Sequence, residues 1–272
     1  MNQSYLLFDG KLTPASAKFK RLLTPGLMKG RGVFETILVR GKKPLFWKEH
    51  VQRLRGGLKC LGLQAIADRS LTHELVAILN RNHLTNARVR LVVWKQKERM
   101  HVGWVAEPLE GRSREKINQG FRATVARGRK NRTNTSHIKS IDYRRLRAAY
   151  EKAHTKGFDE AIFLNQDKQL VEGSRANIFF VKDRCLYTPA LSCGCLGGII
   201  RQQILCIARQ RKIPLRIGHF SLGQLLASDE AFLTNSIVEI VPLMRINHQP
   251  IGKQRLGPVT KSLRKALFAI CR

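Results

Sequence analysis

The chain has 272 residues, with 50 Lys and Arg against 19 Asp and Glu, so its formal net charge is +31. This length can bury a sizeable core in one or two domains without a disulfide or a metal. The six cysteines lack the paired spacings of a zinc site, and no apolar run approaches the ~20 residues of a membrane span, so neither a metal site nor a membrane segment is expected.

The first half of the chain alternates strands with two amphipathic helices. Residues 1–4 do not begin a basic segment followed by an apolar core, so we expect no signal peptide and a cytoplasmic location. The apolar spacing predicts, in order, a strand at 5–8 with a turn at Asp9-Gly10, a strand at 32–39, helices at 47–61 and 71–84, and a strand pair at 87–94 and 101–105.

A polar stretch at 107–118, interrupted by Pro108 and Gly111, is the candidate linker to a second half. The elements predicted beyond it are strands at 121–126, 178–181, 186–187, 230–233 and 239–244, and helices at 143–154, 199–211 and 260–271. Strands mixed with helices and hairpins indicate an α+β protein of two domains, 1–112 and 113–272.

The densest basic cluster is 127–132, with the sequence RGRKNR. It contains no aromatic residue on which a base could stack, and the chain has no helix-turn-helix, zinc-finger or RNA-binding motif. We therefore expect a solvated cationic surface, or one that attracts an anionic substrate, rather than a nucleic-acid site.

The most informative stretch is 172–201. Glu172 comes shortly before an apolar strand, and Gly197 and Gly198 precede the helix that starts at Ile199. The first N–H groups of such a helix have no partner within the helix and can hold a phosphate. This stretch resembles the signature of class IV aminotransferases, the fold-type IV enzymes that use pyridoxal 5′-phosphate. The matching residues are Glu172, Ser174, Asn177, Ile178, Phe179, Leu186, Thr188, Leu196, Gly198, Ile199 and Arg201.

The resemblance implies a smaller N-terminal α/β domain, a larger C-terminal mixed β-barrel-like domain with helices, and an active site between them. It also implies a homodimer. The contacts to pyridoxal phosphate that it implies come from Arg53, Lys139, Tyr143, Glu172, Asn177, Gly198, Ile199, Ile200 and Ser236.

Each role that the resemblance assigns has a plainer alternative. Lys139 would supply the amine that bonds to the cofactor and act as acid and base, although most lysines in such a basic chain are solvated. Glu172 would face the pyridine nitrogen and keep it protonated, or else be an acid at a strand end that is solvated or paired with an arginine. Arg53, in an H-x-x-R-L pattern, would grip the phosphate, or lie on the wet face of its helix.

The remaining cofactor contacts have alternatives of the same kind. Ser236 would be a second phosphate donor or part of a polar turn, and Tyr143 would contact the ring hydroxyl or pack its helix. Ile200 stands where the family often has a hydroxyl residue, so only its backbone N–H is expected to contribute. Arg201 is expected to support the start of the helix.

The substrate side separates the possible activities. The strand that contains Thr36 resembles the family's G-D-G-x-F-E-T strand, with Arg31 in place of the aspartate. A threonine at position 36 is typical of 4-amino-4-deoxychorismate lyases, whereas branched-chain aminotransferases tend to have glycine there. Arg90 is followed by leucine and not by the proline of the branched-chain type, and Lys95 stands where many relatives have arginine.

The resemblance thus implies a lyase of folate biosynthesis that forms pyruvate and 4-aminobenzoate from a small anionic amine. Lys139 and Thr36 would be catalytic, and Thr36, Arg90 and Lys95 would bind substrate. The alternatives are a branched-chain or D-amino-acid aminotransferase, and a basic nucleic-acid-binding protein on an inactive fold of this type.

Overall fold

The computed structural model describes residues 4–109 and 114–271. Contacts group the described chain into two units, the first containing residues 4–109 with Ile138–Arg145, and the second residues 114–137 with 146–271. The predicted boundary between residues 112 and 113 lies outside the described residues, as does the middle of the predicted linker.

An antiparallel sheet forms the centre of the first unit, in the order β2-β1-β6-β5-β3-β4. Its strands are β1 (Tyr5–Phe8), β2 (Lys11–Pro14), β3 (Arg31–Arg40), β4 (Lys43–Pro44), β5 (Ala87–Gln96) and β6 (Arg99–Pro108). The helices of this unit are α1 (Ala17–Leu22), α2 (Trp47–Cys60) and α3 (Asp68–Arg81). The predicted strands and both predicted amphipathic helices are therefore present, with ends shifted by a few residues.

The two faces of this sheet carry different cores. Side chains alternate between faces along a strand, so Val33 and Ile37 of β3 point to one face and Phe34 to the other. Val33 and Ile37 pack with Leu54 and Leu58 of α2 in a fully buried cluster. Phe34 belongs to a second cluster, which includes Val92, Trp94 and Ile141. Neighbouring residues of β3 therefore belong to two separate cores.

The second unit is built on a mixed sheet in the order β12-β11-β10-β13-β14-β7-β8-β9, with β15 paired to β14. Its strands are β7 (Phe121–Arg129), β8 (Glu160–Leu164), β9 (Leu170–Gly173), β10 (Asn177–Lys182), β11 (Cys185–Pro189), β12 (Leu215–Gly218), β13 (Glu230–Asn235), β14 (Glu239–Ile246) and β15 (Gln249–Pro250). The pairs β7–β8, β7–β14 and β11–β12 are parallel, and the others are antiparallel.

Helices cover parts of this sheet. They are α4 (Arg114–Gln119), α5 (Arg144–Thr155), whose first two residues group with the first unit, α6 (Ile199–Gln210), α7 (Leu222–Leu226) and α8 (Pro258–Ile270), with a 3₁₀ turn at Leu191–Cys193. α6 and α8 contact each other and β13. A hairpin of β10 and β11 leads through the 3₁₀ turn into α6, so one continuous stretch brings Asn177 and the N-terminus of α6 into the same region.

The α+β class predicted from the sequence is confirmed by this arrangement. The sequence pattern did not predict β8, β12 or α7, and the five residues of β8 are all buried and show no alternation. Within the described residues, no helix is long and apolar enough to cross a membrane, and no group of three metal-binding side chains is present.

Candidate functional site

The lysine segment pairs with the start of β3 in the first unit. The N–H of Phe34 donates to the carbonyl of Lys139 at 2.9 Å, and the N–H of Ile141 donates to the carbonyl of Gly32 at 3.0 Å. The Nζ of Lys139 lies 4.5 Å from the centroid of the Phe34 ring, close enough for a cation–π contact. The backbone of β3 thus fixes the segment, and the Lys139 amine lies against an aromatic face.

Three further predicted residues belong to this region of the first unit. Thr36 lies on the same face of β3 as Phe34, because the two are separated by one residue. Arg90 of β5 lies directly opposite Thr36 in the strand register. The ring of Tyr143 meets that of Phe34 edge to face, with centroids 5.4 Å apart. Tyr143 is therefore close to the lysine segment, although its ring also packs within the apolar cluster of Phe34.

The predicted anion-binding residues of β5 both have partners. The Nη1 of Arg90 lies 3.5 Å from the carbonyl of Leu23 and 3.5 Å from the hydroxyl of Thr24, contacts at the long limit for a hydrogen bond. Lys95 forms an ion pair with Glu98, whose side chain is 93% exposed, at 2.7 Å. A pair this exposed contributes little stability, so an anionic ligand can compete for Lys95 at small cost.

Arg53 lies on the opposite side of the same sheet, where it forms a buried charge cluster with Glu35 and His50. The Nε of Arg53 donates to one oxygen of Glu35 at 2.8 Å and its Nη2 to the other at 2.6 Å. The Nδ1 of His50 lies 2.7 Å from Glu35 Oε2. Burial raises the pKa of Glu35, but the charges of Arg53 and His50 and their hydrogen bonds outweigh it and lower the pKa to about 2.

The sequence reasoning did not identify Glu35 as the partner of Arg53. The alternation of β3 and the H-x-x-R spacing of α2 contain the signal, since both neighbours of Thr36 on the strand face the helix and Glu35 is the acidic one. The bidentate pair orients the Arg53 guanidinium.

Glu172 is the centre of the second group of predicted residues, which lies in the second unit. This carboxylate is buried on β9, and its Oε2 accepts hydrogen bonds from the Asn177 amide at 3.1 Å and from the Leu196 N–H at 3.0 Å. Its Oε1 lies 2.8 Å from the Nζ of Lys130. The Asn177 amide also donates to the Leu196 carbonyl at 2.8 Å, so it links β9 to the segment that enters α6.

Helix α6 begins at Ile199, where the sequence predicts a helix start. Gly198 is the N-cap residue and offers no side-chain hydrogen bond to the N–H groups of the first turn, which begins with Ile199 and Ile200. A Cβ atom at Gly198 would lie 2.0 Å from the Oδ1 of Asn177, so the close approach of Asn177 requires glycine here. Arg201 is buried and donates to the Pro189 carbonyl at 3.0 Å, and burial lowers its pKa. Arg201 therefore supports the helix start, as expected.

Ser236 lies in the turn that joins β13 to β14. The side chain of Asn235 shapes this turn, because its Oδ1 accepts from the N–H groups of Ile237 and Val238, both at 2.9 Å. Thr234, two residues before Ser236, lies opposite Asn177 in the register, and its hydroxyl is buried with no hydrogen-bond partner among the described residues. The sequence reasoning singled out Ser236 within Thr234-Asn235-Ser236 but did not assign a role to Thr234.

Lys130 is a third residue, after Glu35 and Thr234, whose role the sequence does not indicate. It belongs to the basic cluster at 127–132, which was considered only as a surface feature. Its neighbours Arg129 and Arg132 are exposed, whereas the Lys130 side chain is only 18% exposed and pairs with Glu172.

Each unit contains groups of the kind that a ligand with an aldehyde, a pyridine nitrogen and a phosphate needs. Lys139 provides an amine, Glu172 a buried carboxylate, and the start of α6 a set of N–H groups without a side-chain cap. The buried and unpartnered hydroxyl of Thr234 is a further polar group for which a ligand atom could provide the partner.

Comparison with known proteins identifies a family and several relatives of this chain. The family model described as amino-transferase class IV matches residues 32–246. A branched-chain-amino-acid aminotransferase of Pseudomonas aeruginosa is 29% identical over 281 residues, covering 96% of this chain and 91% of the relative. An aminodeoxychorismate lyase of Bacillus subtilis is 31% identical over 251 residues, covering 88% of this chain and 85% of the relative.

Solved structures of the same kind superpose over almost the whole chain. The branched-chain amino acid aminotransferase of Escherichia coli matches with a TM-score of 0.87 at 26% identity, covering 99% of this chain and 95% of that one. A second branched-chain amino acid aminotransferase, from T.th. and solved with pyridoxamine 5′-phosphate, also has a TM-score of 0.87, at 25% identity, covering 100% of this chain and 95% of that one.

The fold and the family match define an enzyme of the pyridoxal-phosphate-dependent class with the fold-type IV architecture, as the sequence predicted. The chain belongs to the class IV amino-transferase family. The family uses pyridoxal 5′-phosphate, so the cofactor prediction is confirmed.

Proposed function

We propose that this enzyme is a 4-amino-4-deoxychorismate lyase, which releases pyruvate and forms 4-aminobenzoate. The observation that carries the proposal is the environment of Thr36. Its side chain shares a face of β3 with Phe34, whose ring contacts the Lys139 amine. A hydroxyl there can take part in proton transfer, which the glycine typical of the branched-chain type cannot do. The aminodeoxychorismate lyase of Bacillus subtilis supports the same choice.

Several residues would hold the cofactor. When bound, pyridoxal phosphate supplies an aldehyde that joins covalently to an amine and a ring that withdraws electrons from the attached carbon. Glu172, oriented by Asn177, would hold the pyridine nitrogen, and Tyr143 would contact the ring hydroxyl. The phosphate would be held by the N–H groups of the first turn of α6, together with Arg53 and Ser236. Ile199 and Ile200 would contribute these N–H groups, whereas the N–H of the N-cap residue Gly198 donates to the Leu196 carbonyl at 2.9 Å and would have to exchange that bond for the phosphate.

Lys139 and Thr36 would carry out the proton transfers. The Lys139 amine removes the proton from the substrate carbon that bears the amino group. The carbon–oxygen bond to the enolpyruvyl group then breaks, and the departing group takes up a proton to become pyruvate. Thr36 assists that protonation. The six-membered ring becomes aromatic in the product, so the elimination is favourable.

The substrate carries two carboxylates, which need cationic partners. Arg90, opposite Thr36, would hold one of them, and Lys95 would exchange Glu98 for the other. Arginine provides a planar fork for a carboxylate, whereas lysine provides a more mobile point charge. The net charge of +31 favours the approach of such a dianion.

The second candidate is a branched-chain aminotransferase. The branched-chain enzymes of Pseudomonas aeruginosa and Escherichia coli cover most of this chain, which favours that candidate. A D-amino-acid aminotransferase is a further alternative within the same class. All three activities would use the same cofactor contacts and would differ only at the substrate side.

The homodimer and the cytoplasmic location stay predictions. Light scattering of the purified enzyme tests the homodimer.

One experiment separates these activities. The purified enzyme, loaded with pyridoxal phosphate, is given 4-amino-4-deoxychorismate in one reaction, and L-leucine or D-alanine with 2-oxoglutarate in others. We expect pyruvate and 4-aminobenzoate in equal amounts from the first reaction. Thr36→Gly should lower that rate by roughly a hundredfold, whereas Thr36→Ser should keep most of it. Formation of glutamate from leucine, without any 4-aminobenzoate, would establish the branched-chain activity instead.

A further inference from the structure

Lys130 makes an unusual contact for a residue of a basic surface cluster. It follows β7 directly, and its Nζ lies 2.8 Å from Glu172 Oε1. The two side chains are 18% and 7% exposed, so the ion pair is largely removed from water. The same Nζ donates a hydrogen bond to the carbonyl of Gly194. A mostly buried lysine with two specific acceptors is not a solvated surface charge.

With this ion pair, both oxygens of the Glu172 carboxylate have partners. The Asn177 amide and the Leu196 N–H hold Oε2, and Lys130 is the described residue that holds Oε1. A carboxylate held at both oxygens cannot rotate about its terminal bond without losing a hydrogen bond. The orientation of Glu172 therefore depends on Lys130.

Lys130 also ties Glu172 to the chain that leads into α6. Gly194 has a φ of 98°, and a Cβ atom there would lie 2.9 Å from the Arg132 N atom, so the backbone after Lys130 and the backbone at Gly194 are in close contact. Lys130 thus bridges the end of β7, the carboxylate on β9 and the segment before Gly198.

We propose that Lys130 is a positioning residue of the cofactor site, which fixes the Glu172 carboxylate and holds it in register with the N-terminus of α6. The proposal rests on the proposed function, in which Glu172 holds the pyridine nitrogen and the start of α6 holds the phosphate. A ligand that binds both groups at once requires a constant separation between them, and Lys130 supplies the link through Gly194.

A double-mutant cycle on cofactor affinity tests this role. The cofactor is removed from wild-type protein, Lys130→Met, Glu172→Gln and the double variant, and each apo-protein is titrated with pyridoxal phosphate, using protein fluorescence to obtain the dissociation constant. Lys182→Met is the matched control, because Lys182 pairs with Asp229 at 3.1 Å in the same unit but at the surface, with side chains 45% and 50% exposed. Circular dichroism checks that each variant is folded.

We expect Lys130→Met to raise the dissociation constant about tenfold or more, Lys130→Arg to restore most of the affinity, and Lys182→Met to leave it unchanged. If Lys130 acts through Glu172, its replacement has a much smaller effect in the Glu172→Gln background. If Lys130→Met does not fold, the cycle is run with Lys130→Gln.

Three outcomes would overturn the inference. An unchanged dissociation constant in Lys130→Met, or equal effects of that change in both backgrounds, rejects the positioning role and leaves the proposed function intact. A wild-type protein that binds no pyridoxal phosphate rejects both.

Discussion

Lys139 is the single residue on which the proposed chemistry depends most. Borohydride reduction of the enzyme loaded with pyridoxal phosphate should leave the cofactor on the peptide that contains Lys139, because its amine would form the covalent bond. Lys139→Ala should lack the modification and lose activity by at least about a hundredfold. Peptide mass spectrometry locates the modification. Lys95→Ala serves as the control and should retain it, and modification of a different lysine in the wild type would contradict the assignment.

Glu35 is a buried acid that orients Arg53, the residue proposed to hold the cofactor phosphate. Its folded-state pKa of about 2 lies below the ordinary value of 4.5. The ionised carboxylate therefore stabilises the fold fully above about pH 4.5, and this contribution disappears as the pH falls toward 2. We expect Glu35→Gln to lower the free energy of unfolding at neutral pH by on the order of 3 kcal/mol.

The pH dependence separates this pair from ordinary surface pairs. Urea unfolding of Glu35→Gln should show a shallower loss of stability between pH 4.5 and 2 than the wild type, because the titrating group is absent. Glu107→Gln is the control: its pair with Arg88 is 31% to 41% exposed, and its loss should cost about 1 kcal/mol or less. Equal slopes for Glu35→Gln and wild type would show that the buried cluster does not govern acid unfolding.

At the scale of elements, helix α2 contains two adjacent glycines in opposite environments. A Cβ atom at Gly57 would lie 2.8 Å from the Val33 Cγ1 and 3.2 Å from the Ile138 Cγ2, whereas nothing lies within 4 Å at Gly56. We expect Gly56→Ala to raise the free energy of unfolding by about 0.5–1 kcal/mol, since alanine favours helix. Gly57→Ala should lower it by about 1–3 kcal/mol, since the Cβ displaces packed side chains.

Urea unfolding of both variants measures these effects, and each variant is the control for the other. Because Ile138 precedes Lys139, Gly57→Ala should also weaken cofactor binding, which Gly56→Ala leaves unchanged. Effects of equal size and sign would mean that α2 does not pack on β3 as closely as the distances require.

The elements differ in how far the sequence alone predicts them. Helix α2 follows from apolar periodicity, because it buries one regular set of positions. Strand β3 is buried on both faces and follows instead from its β-branched residues and the turn after it. Strand β8 has no periodicity to detect, since all five residues are buried. The pairing of residues 139–141 with β3 is a contact between distant parts of the chain, which no local pattern specifies.

The candidate site shows the same limit. The resemblance of one stretch to the family signature implies roles for Glu172, Asn177 and Gly198, and the structure brings these three residues together. Lys130 and Thr234 were missed, because nothing next to either residue indicates its partner. Site residues within one short stretch can be predicted from the sequence, whereas the pairing of buried polar groups across the sheet is seen only in the structure.

At the scale of the whole molecule, the net charge of +31 raises the question of a nucleic-acid partner. Charge alone gives weak binding to DNA that salt removes, so binding at low salt would not indicate a function. In the second unit, Lys130 belongs to the densest basic cluster but is largely buried, because it pairs with Glu172. The family match favours an enzyme, and the expectation that nucleic acid is not a partner stays a prediction.

The same charge predicts how stability responds to salt. Like charges on the surface repel one another in the folded chain more than in the expanded one, and ions screen that repulsion with a Debye length of about 10 Å at 0.1 M salt. We therefore expect the urea midpoint to rise between roughly 0.02 and 0.5 M NaCl. Glu35→Gln should show the same rise, because its buried pair is shielded from ions. A midpoint that falls with salt would mean that exposed ion pairs, such as the one between Lys95 and Glu98, outweigh the repulsion.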